Sequence, residues 1–269
     1  MDGVAAQRVA RTMAGPAVRR TRREWQWRTC RADLGLDLGS AEGFGFPVAD
    51  HATPLFRPLA GLDPVLQHNK AVNLRLAAAR LHGRVVRPGQ RLSFWRQVGR
   101  PTARRGYLDG PVLDDGRLVA GIGGGLCQLT NLIYWMTVHT PLSVVERWRH
   151  MYDVFPDAGR TQPFGSGATC AWPSLDLQLE NRTRTSFRLG VAVTRTHLVG
   201  TWTADSRVLR GYHVYEAAHL MTNDAPGVFS RHNVLRRRVL DPRGRAVDDE
   251  VLAENHARLM YQPFLPAAG

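Results

Sequence analysis

Between residues 63 and 83 the apolar side chains Val65, Leu66, Val72, Leu74, Leu76, Ala77 and Leu81 fall at helical spacing, and the pattern predicts a helix over about 64–82. Asp63 is placed to cap it, Pro64 suits the first helical position, and Gly83 stops it. A second helical stripe, Leu129, Leu132, Ile133, Met136 and Thr137, starts directly after a glycine run and ends before Pro141. Elsewhere the period is two. Residues 84–86 and 91–95 read as short extended pieces about the turn Arg87-Pro88-Gly89-Gln90, and 107–113 with 117–120 as a hairpin around Asp114-Asp115-Gly116. Strands are also expected at 142–149, 175–181, 187–193, 197–203 and 208–215. A last hairpin, 234–240 with 246–251, turns at Asp241-Pro242-Arg243-Gly244.

This succession predicts an α+β fold of antiparallel sheets with a few helices, in which a glycine-rich turn leads into a central helix that carries a cysteine. The first thirty residues are basic and poor in bulky aliphatics. They read as a partly helical or mobile arm, with Trp25 and Trp27 anchoring its end. From 31 to 58 the density of glycine and proline leaves no room for a long regular element. The chain thus divides into a basic arm and loop-rich lead-in, 1–58, and a domain over 59–269 whose C-terminal antiparallel β region starts at about 174.

Composition adds that 269 residues with 43% hydrophobic side chains can bury a sizeable core. Of the formal charge of +13, a large part sits in residues 1–31, where eight arginines face only Asp2 and Glu24. Lys70 is the only lysine, which points to codon bias more than to an anionic ligand. No helix-turn-helix, zinc-finger or RNA-binding signature accompanies the charge, so nucleic acid is not expected as a partner. An anionic membrane surface met by the basic N-terminus is the remaining electrostatic partner. No apolar run is long enough to span a bilayer, and charge interrupts residues 4–11 too often for a secretory signal. The expectation is a cytoplasmic chain, peripheral to the membrane at most.

The candidate chemistry gathers at Gly123-Gly124-Gly125-Leu126-Cys127-Gln128. A lone cysteine is most often a small buried hydrophobe. Here, however, the glycines place Cys127 at a helix N-terminus, where unsatisfied N–H groups and the helix dipole favour the thiolate. The bare backbone of Gly123, Gly124 and Gly125 can supply oxyanion donors. A phosphate loop would need a lysine and a hydroxyl that this run lacks. A nucleophilic thiol needs a base, and His150, at the end of the strand that follows the helix, is placed to return to it. Asp153, Asp157 and Asp176 are equal candidates for an orienting acid, and each reads as well as a loop or surface carboxylate. Cys30, Cys127 and Cys170 are too far apart in sequence for a disulfide framework or a CxxC pair, and no zinc spacing includes them, so no metal or other cofactor is expected. Trp95, Trp135, Trp148, Trp172 and Trp202 can be read as a sugar-stacking surface, but aromatics at strand positions are more often core.

Several of these segments together resemble the VanW family: Asn69-Lys70-Ala71-Val72-Asn73-Leu74 with Leu76-Ala77-Ala78, Val86-Arg87-Pro88-Gly89-Gln90 with Ser93-Phe94, Val98-Gly99, Gly106-Tyr107, Gly121 through Gln128 with Leu132-Ile133-Tyr134, and Val145-Glu146-Arg147 with His150. The similarity runs from about Asn69 to Asn181, its GGGxCQ core is specific, and Glu254-Asn255-His256-Ala257 extends it. The resemblance implies a bacterial protein tied to vancomycin-resistance clusters and the cell wall. Some members are regarded as L,D-transpeptidases that use the cysteine. Carried over, Cys127 would be the nucleophile, His150 the base, and Gly123, Gly124, Gly125 and Gln128 would line the substrate or oxyanion site. The substrate would be a peptidoglycan precursor or peptide. A second expectation is a non-catalytic accessory module that binds an envelope precursor or a partner protein, with Cys127 packing beneath the glycine turn.

Overall fold

The computed structural model describes residues 15–56, 63–154 and 162–263. It is an α+β fold in which one antiparallel sheet and two helices enclose the main core. Helix α1 spans Pro16–Arg28, strand β1 Phe46–Pro54 and helix α2 Pro64–Leu81. The short strands β2 (Val85–Val86) and β3 (Arg91–Ser93) follow, then helix α3 (Phe94–Val98) and the hairpin β4 (Asp109–Asp114) and β5 (Arg117–Ile122). Helix α4 covers Cys127–Thr137, β6 Ser143–Glu146, β7 Tyr152–Asp153 and β8 Gln178–Glu180. The chain continues through β9 (Phe187–Val193), β10 (His197–Ala204), β11 (Gly211–Ala225), β12 (Val228–Leu240) and β13 (Ala246–Leu259).

The core sheet has the order β1-β10-β9-β2 and is antiparallel throughout. Helix α2 forms as its capping signals require: the Asp63 carboxylate accepts from the Val65 N–H at 2.8 Å, and Gly83 leaves the helix at φ +80°. Helix α4 lies so close to β10 that a Cβ on Gly200 would stand 2.6 Å from Met136 Cε. Trp202, fully buried on the same strand, donates its indole N–H to Thr137 Oγ1 at 3.1 Å, so its polar atom is satisfied inside the core. Leu74, Leu81, Phe94, Leu129, Leu132, Ile133 and Phe187 complete a continuous apolar interior. A second sheet, β11-β12-β13-β7, carries the long hairpins, with β7 joining it in parallel. A third has the order β3-β8-β6.

Several expectations change. The stretch 46–54, read as lead-in, is a nine-residue strand at the edge of the core sheet. Its prolines are tolerated there because an edge strand has unpaired positions, and Pro47 sits at a register shift. Phe94 and Trp95 begin a helix and do not extend β3, because the Ser93 hydroxyl caps it by accepting from the Arg96 N–H at 3.2 Å. The strands expected at 142–149 and 175–181 shrink to four and three residues. The one expected at 208–215 starts at Gly211 and runs to Ala225, while β12 and β13 also extend well beyond their expected ends.

The described part of the basic arm is a docked helix. Arg23, 4% exposed, forms two 2.6 Å hydrogen bonds with the Glu146 carboxylate and donates to the carbonyls of Pro173 and Ser174. Trp27 bonds Ser93 Oγ at 3.1 Å, whereas Trp25 is 64% exposed and anchors nothing. Arg8 and Arg11 lie outside the described residues. Among the described residues, no helix is long and apolar enough to cross a membrane.

Candidate functional site

The glycine run is shaped by what packs on it. Gly123 (φ +76°) and Gly125 (φ +91°) occupy left-handed backbone conformations, and Gly124 lies directly on Gly110 of β4, where an added Cβ would stand 2.1 Å from the Gly110 carbonyl oxygen. At Gly125 a Cβ would overlap the buried aliphatic stem of Lys70. Asn73 of α2 fastens the arrangement: its amide donates to Leu108 O and Gly124 O, both at 2.9 Å, and its Oδ1 accepts from Leu108 N–H at 2.8 Å. The asparagines of the Asn69–Leu74 segment thus hold the hairpin and the glycine run against one helix, because Asn69 also bonds Asp109 O at 2.8 Å.

The run delivers Cys127 as the first residue of α4, half-buried, as its position after three glycines implied. The second wall of the site comes from residues 165–171. Asn131 and Thr130, one turn further along α4, take the Ala168 N–H at 2.7 Å and donate to the Ala168 carbonyl at 2.5 Å. These bonds set Thr169 Oγ1 at 3.3 Å and Cys170 Sγ at 3.9 Å from Cys127 Sγ. The isolated bridge between Trp148 and Thr169, with Thr169 N–H donating to Trp148 O at 2.8 Å, lays the segment that carries His150 alongside. Arg147 supports that segment with bonds to the Gly165 and Gly167 carbonyls and a guanidinium 4.5 Å from the centre of the Tyr134 ring. Arg149 bonds Asn255 Oδ1 at 3.0 Å, which gives the Glu254–Ala257 run a role in holding the irregular segment that carries His150.

The electrostatics separate the two thiols. Cys127 is held well below its ordinary value, first by the hydrogen bond with the Cys170 thiol, and then, against the opposing effect of burial, by hydrogen bonding and charge from His150. Cys170 is pushed well above its own, chiefly by burial and next by the same bond to Cys127. The shared bond thus sets the two thiols apart in proton affinity, and Cys127 is the one shifted toward the thiolate, the reactive form.

The other expected residues fare unevenly. The Gly123 and Gly124 N–H groups already donate to Leu108 O at 3.0 Å and Gly121 O at 2.9 Å, which removes them as oxyanion donors. The N–H groups of Gly125, Leu126 and Cys127 at the open turn of α4 enter no backbone hydrogen bond among the described residues. Gln128 turns away from the thiol, its side-chain amide donating to Thr53 Oγ1 at 3.0 Å and Pro54 O at 2.9 Å, so it fastens β1 to α4. Asp153 pairs with the buried Arg231 at 3.3 Å. Asp176, fully buried, accepts from Ser93 Oγ at 2.5 Å and Trp95 N–H at 3.0 Å, with Arg23 at 3.9 Å; burial, opposed by Arg23, pushes its carboxyl up to about 6. None of these contacts is with His150, and Asp157 lies outside the described residues. Trp95 and Trp202 are core, and Trp27, Trp172 and Trp95 pack edge to face or tilted in series. No three ligating side chains gather as a metal site among the described residues. Sequence reasoning missed Cys170 and Thr169; no local pattern marks a partner 43 residues away from Cys127.

What fold and site define is an α+β protein that carries a cysteine at the start of a glycine-led helix, with a second thiol 3.9 Å from it. The chain belongs to the VanW family, whose description, VanW like protein, matches residues 69–203. It is 30% identical over 207 residues to the vancomycin B-type resistance protein VanW of Enterococcus faecalis, covering 77% of this chain and 75% of that protein. It is also 30% identical over 114 residues to the uncharacterized protein YoaR of Bacillus subtilis, covering 42% of this chain and 36% of that one. No solved structure matches the chain.

Proposed function

We propose that this protein performs cysteine-dependent acyl transfer on a peptide of the peptidoglycan type, in the manner of an L,D-transpeptidase. The observation that carries the reading is the Cys127 thiol itself, at a helix N-terminus, hydrogen-bonded to a second thiol and lowered in pKa by that bond and by His150. The Cys127 thiolate attacks a peptide carbonyl, and the developing oxyanion is met by the N–H groups of the open turn at Gly125 to Cys127. His150 donates a proton to the departing amine as the C–N bond breaks, leaving a thioester on Cys127. It then accepts a proton from the incoming amine or water that releases the acyl group. A cell-envelope setting is supported by the relative named for vancomycin resistance.

The test is intact-mass analysis after incubation with a muropeptide carrying a tetrapeptide stem. The expected result is a thioester adduct on Cys127 that is absent from Cys127→Ala and forms more slowly in His150→Ala. An unmodified Cys127 in folded, reduced protein, with no product formed, would make the protein a non-catalytic binding module.

A further inference from the structure

Acyl transfer uses one sulfur, yet the site holds two. Cys127 Sγ and Cys170 Sγ lie 3.9 Å apart, in direct thiol–thiol contact. A disulfide bond is about 2.05 Å long, so closing it needs an approach of about 1.9 Å. Cys127 is fixed to α4, and the movement falls to Cys170, which lies in the irregular chain between the bridges at Thr169 and Ala171. Both residues keep partial solvent exposure.

We propose that Cys127 and Cys170 form a redox-active dithiol, which a hydroperoxide closes to an intramolecular disulfide and an external dithiol reopens. In the first step the Cys127 thiolate attacks the peroxide oxygen; an S–O bond forms, the O–O bond breaks, and the alcohol or water leaves with a proton from solvent. In the second, Cys170 gives up its proton and its sulfur attacks the sulfenic sulfur of Cys127. The S–S bond forms and the oxygen departs as water. Both sulfurs are oxidised by one electron each and the peroxide is reduced by two. The separated proton affinities of the two thiols suit this order, with Cys127 oxidised first and Cys170 resolving it. The disulfide removes the nucleophile reversibly and shields Cys127 from irreversible oxidation. It forms whether or not Cys127 attacks peptides.

The test treats the full reduced chain with graded hydrogen peroxide, blocks remaining thiols with iodoacetamide, and maps peptides without reduction. The expected result is loss of two hydrogens from the intact mass, a linked Cys127–Cys170 peptide, an alkylated Cys30, and recovery of both free thiols with dithiothreitol. In Cys170→Ser, Cys127 instead gains oxygen. Oxygen added to Cys127 in the unaltered chain without a linked peptide would overturn the proposal, as would a bridge that includes Cys30 or a second chain. So would no oxidation at peroxide levels that consume free cysteine. Because the unaltered chain supplies the deciding map, a misfolded variant does not decide the outcome. A thioester formed without a disulfide sinks this proposal alone, and a disulfide without a thioester sinks only the acyl-transfer reading.

Discussion

Replacing Gly124 by alanine asks whether the glycine run is dictated by packing. The new Cβ would stand 2.1 Å from Gly110 O, 2.2 Å from Gly110 C and 2.8 Å from Gly110 Cα. These are backbone atoms of β4, so no side chain can rotate away, and relief requires the hairpin and the run to part. Overpacking of this kind costs about 1–3 kcal/mol. Parting also stretches the 2.9 Å bond from Asn73 to Gly124 O, worth about 1 kcal/mol more. The expected loss is about 2–4 kcal/mol, against a total stability on the order of 5–15 kcal/mol, and a fall in Tm of roughly 10 °C. Gly43→Ala is the matched control. Gly43 has ordinary φ and nothing within 4 Å of its added Cβ, so its change should stay within about 0.5 kcal/mol. Urea unfolding followed by tryptophan fluorescence measures both. A Gly124→Ala loss below about 1 kcal/mol would refute the packing argument and return the run to a purely catalytic explanation.

Arg23→Ala removes the cation that satisfies Glu146 from across the α1 interface and should cost about 3–5 kcal/mol, whereas the exposed neighbour change Arg22→Ala should cost within about 0.5 kcal/mol. Equal effects in urea melts would mean that α1 is not docked through Arg23. Asp176 has a folded-state value of about 6, above its unfolded value, so the folded protein holds this proton more tightly. Its contribution is full below about pH 4 and is lost as pH rises through 6, on the order of 3 kcal/mol. In Asp176→Asn that loss disappears, so stability at pH 7 relative to pH 4.5 should be higher than in the unaltered chain. Unfolding curves at the two pH values that keep the same ratio in both proteins would contradict this.

Features held by neighbouring residues were legible in the sequence. The Asp63–Pro64 start of α2 and the Asp115–Gly116 hairpin, with φ of +44° and +81°, depend on local stereochemistry alone. The placement of Cys127 at the head of α4 followed from the glycines. What was missed depends on tertiary partners. Strand β1 is ordered by pairing with β10, despite prolines at its ends. The outer half of β11 is almost wholly exposed, so it lacks the alternation that marks a half-buried strand. Gln128 looked like part of a reactive motif because it follows the cysteine, yet α4 turns it towards Thr53 and Pro54. Gly123 and Gly124 were read as donors, but their N–H groups are taken by the Leu108 and Gly121 carbonyls. The Cys127–Cys170 contact exists only because Thr130 and Asn131 pin the 167–170 segment to the helix.

The proposed acyl transfer turns on Cys127 being a thiolate sustained by Cys170 and His150. It is tested most directly by the pH dependence of iodoacetamide alkylation at Cys127, resolved by peptide mass spectrometry in the unaltered chain, Cys170→Ala and His150→Ala. The expected result is an apparent pKa well below the ordinary thiol value of about 8.5, raised in both variants and more in Cys170→Ala, since the thiol bond is the larger cause. A Cys127 that titrates at or above about 8.5 in the folded chain, or is indifferent to both substitutions, would contradict it.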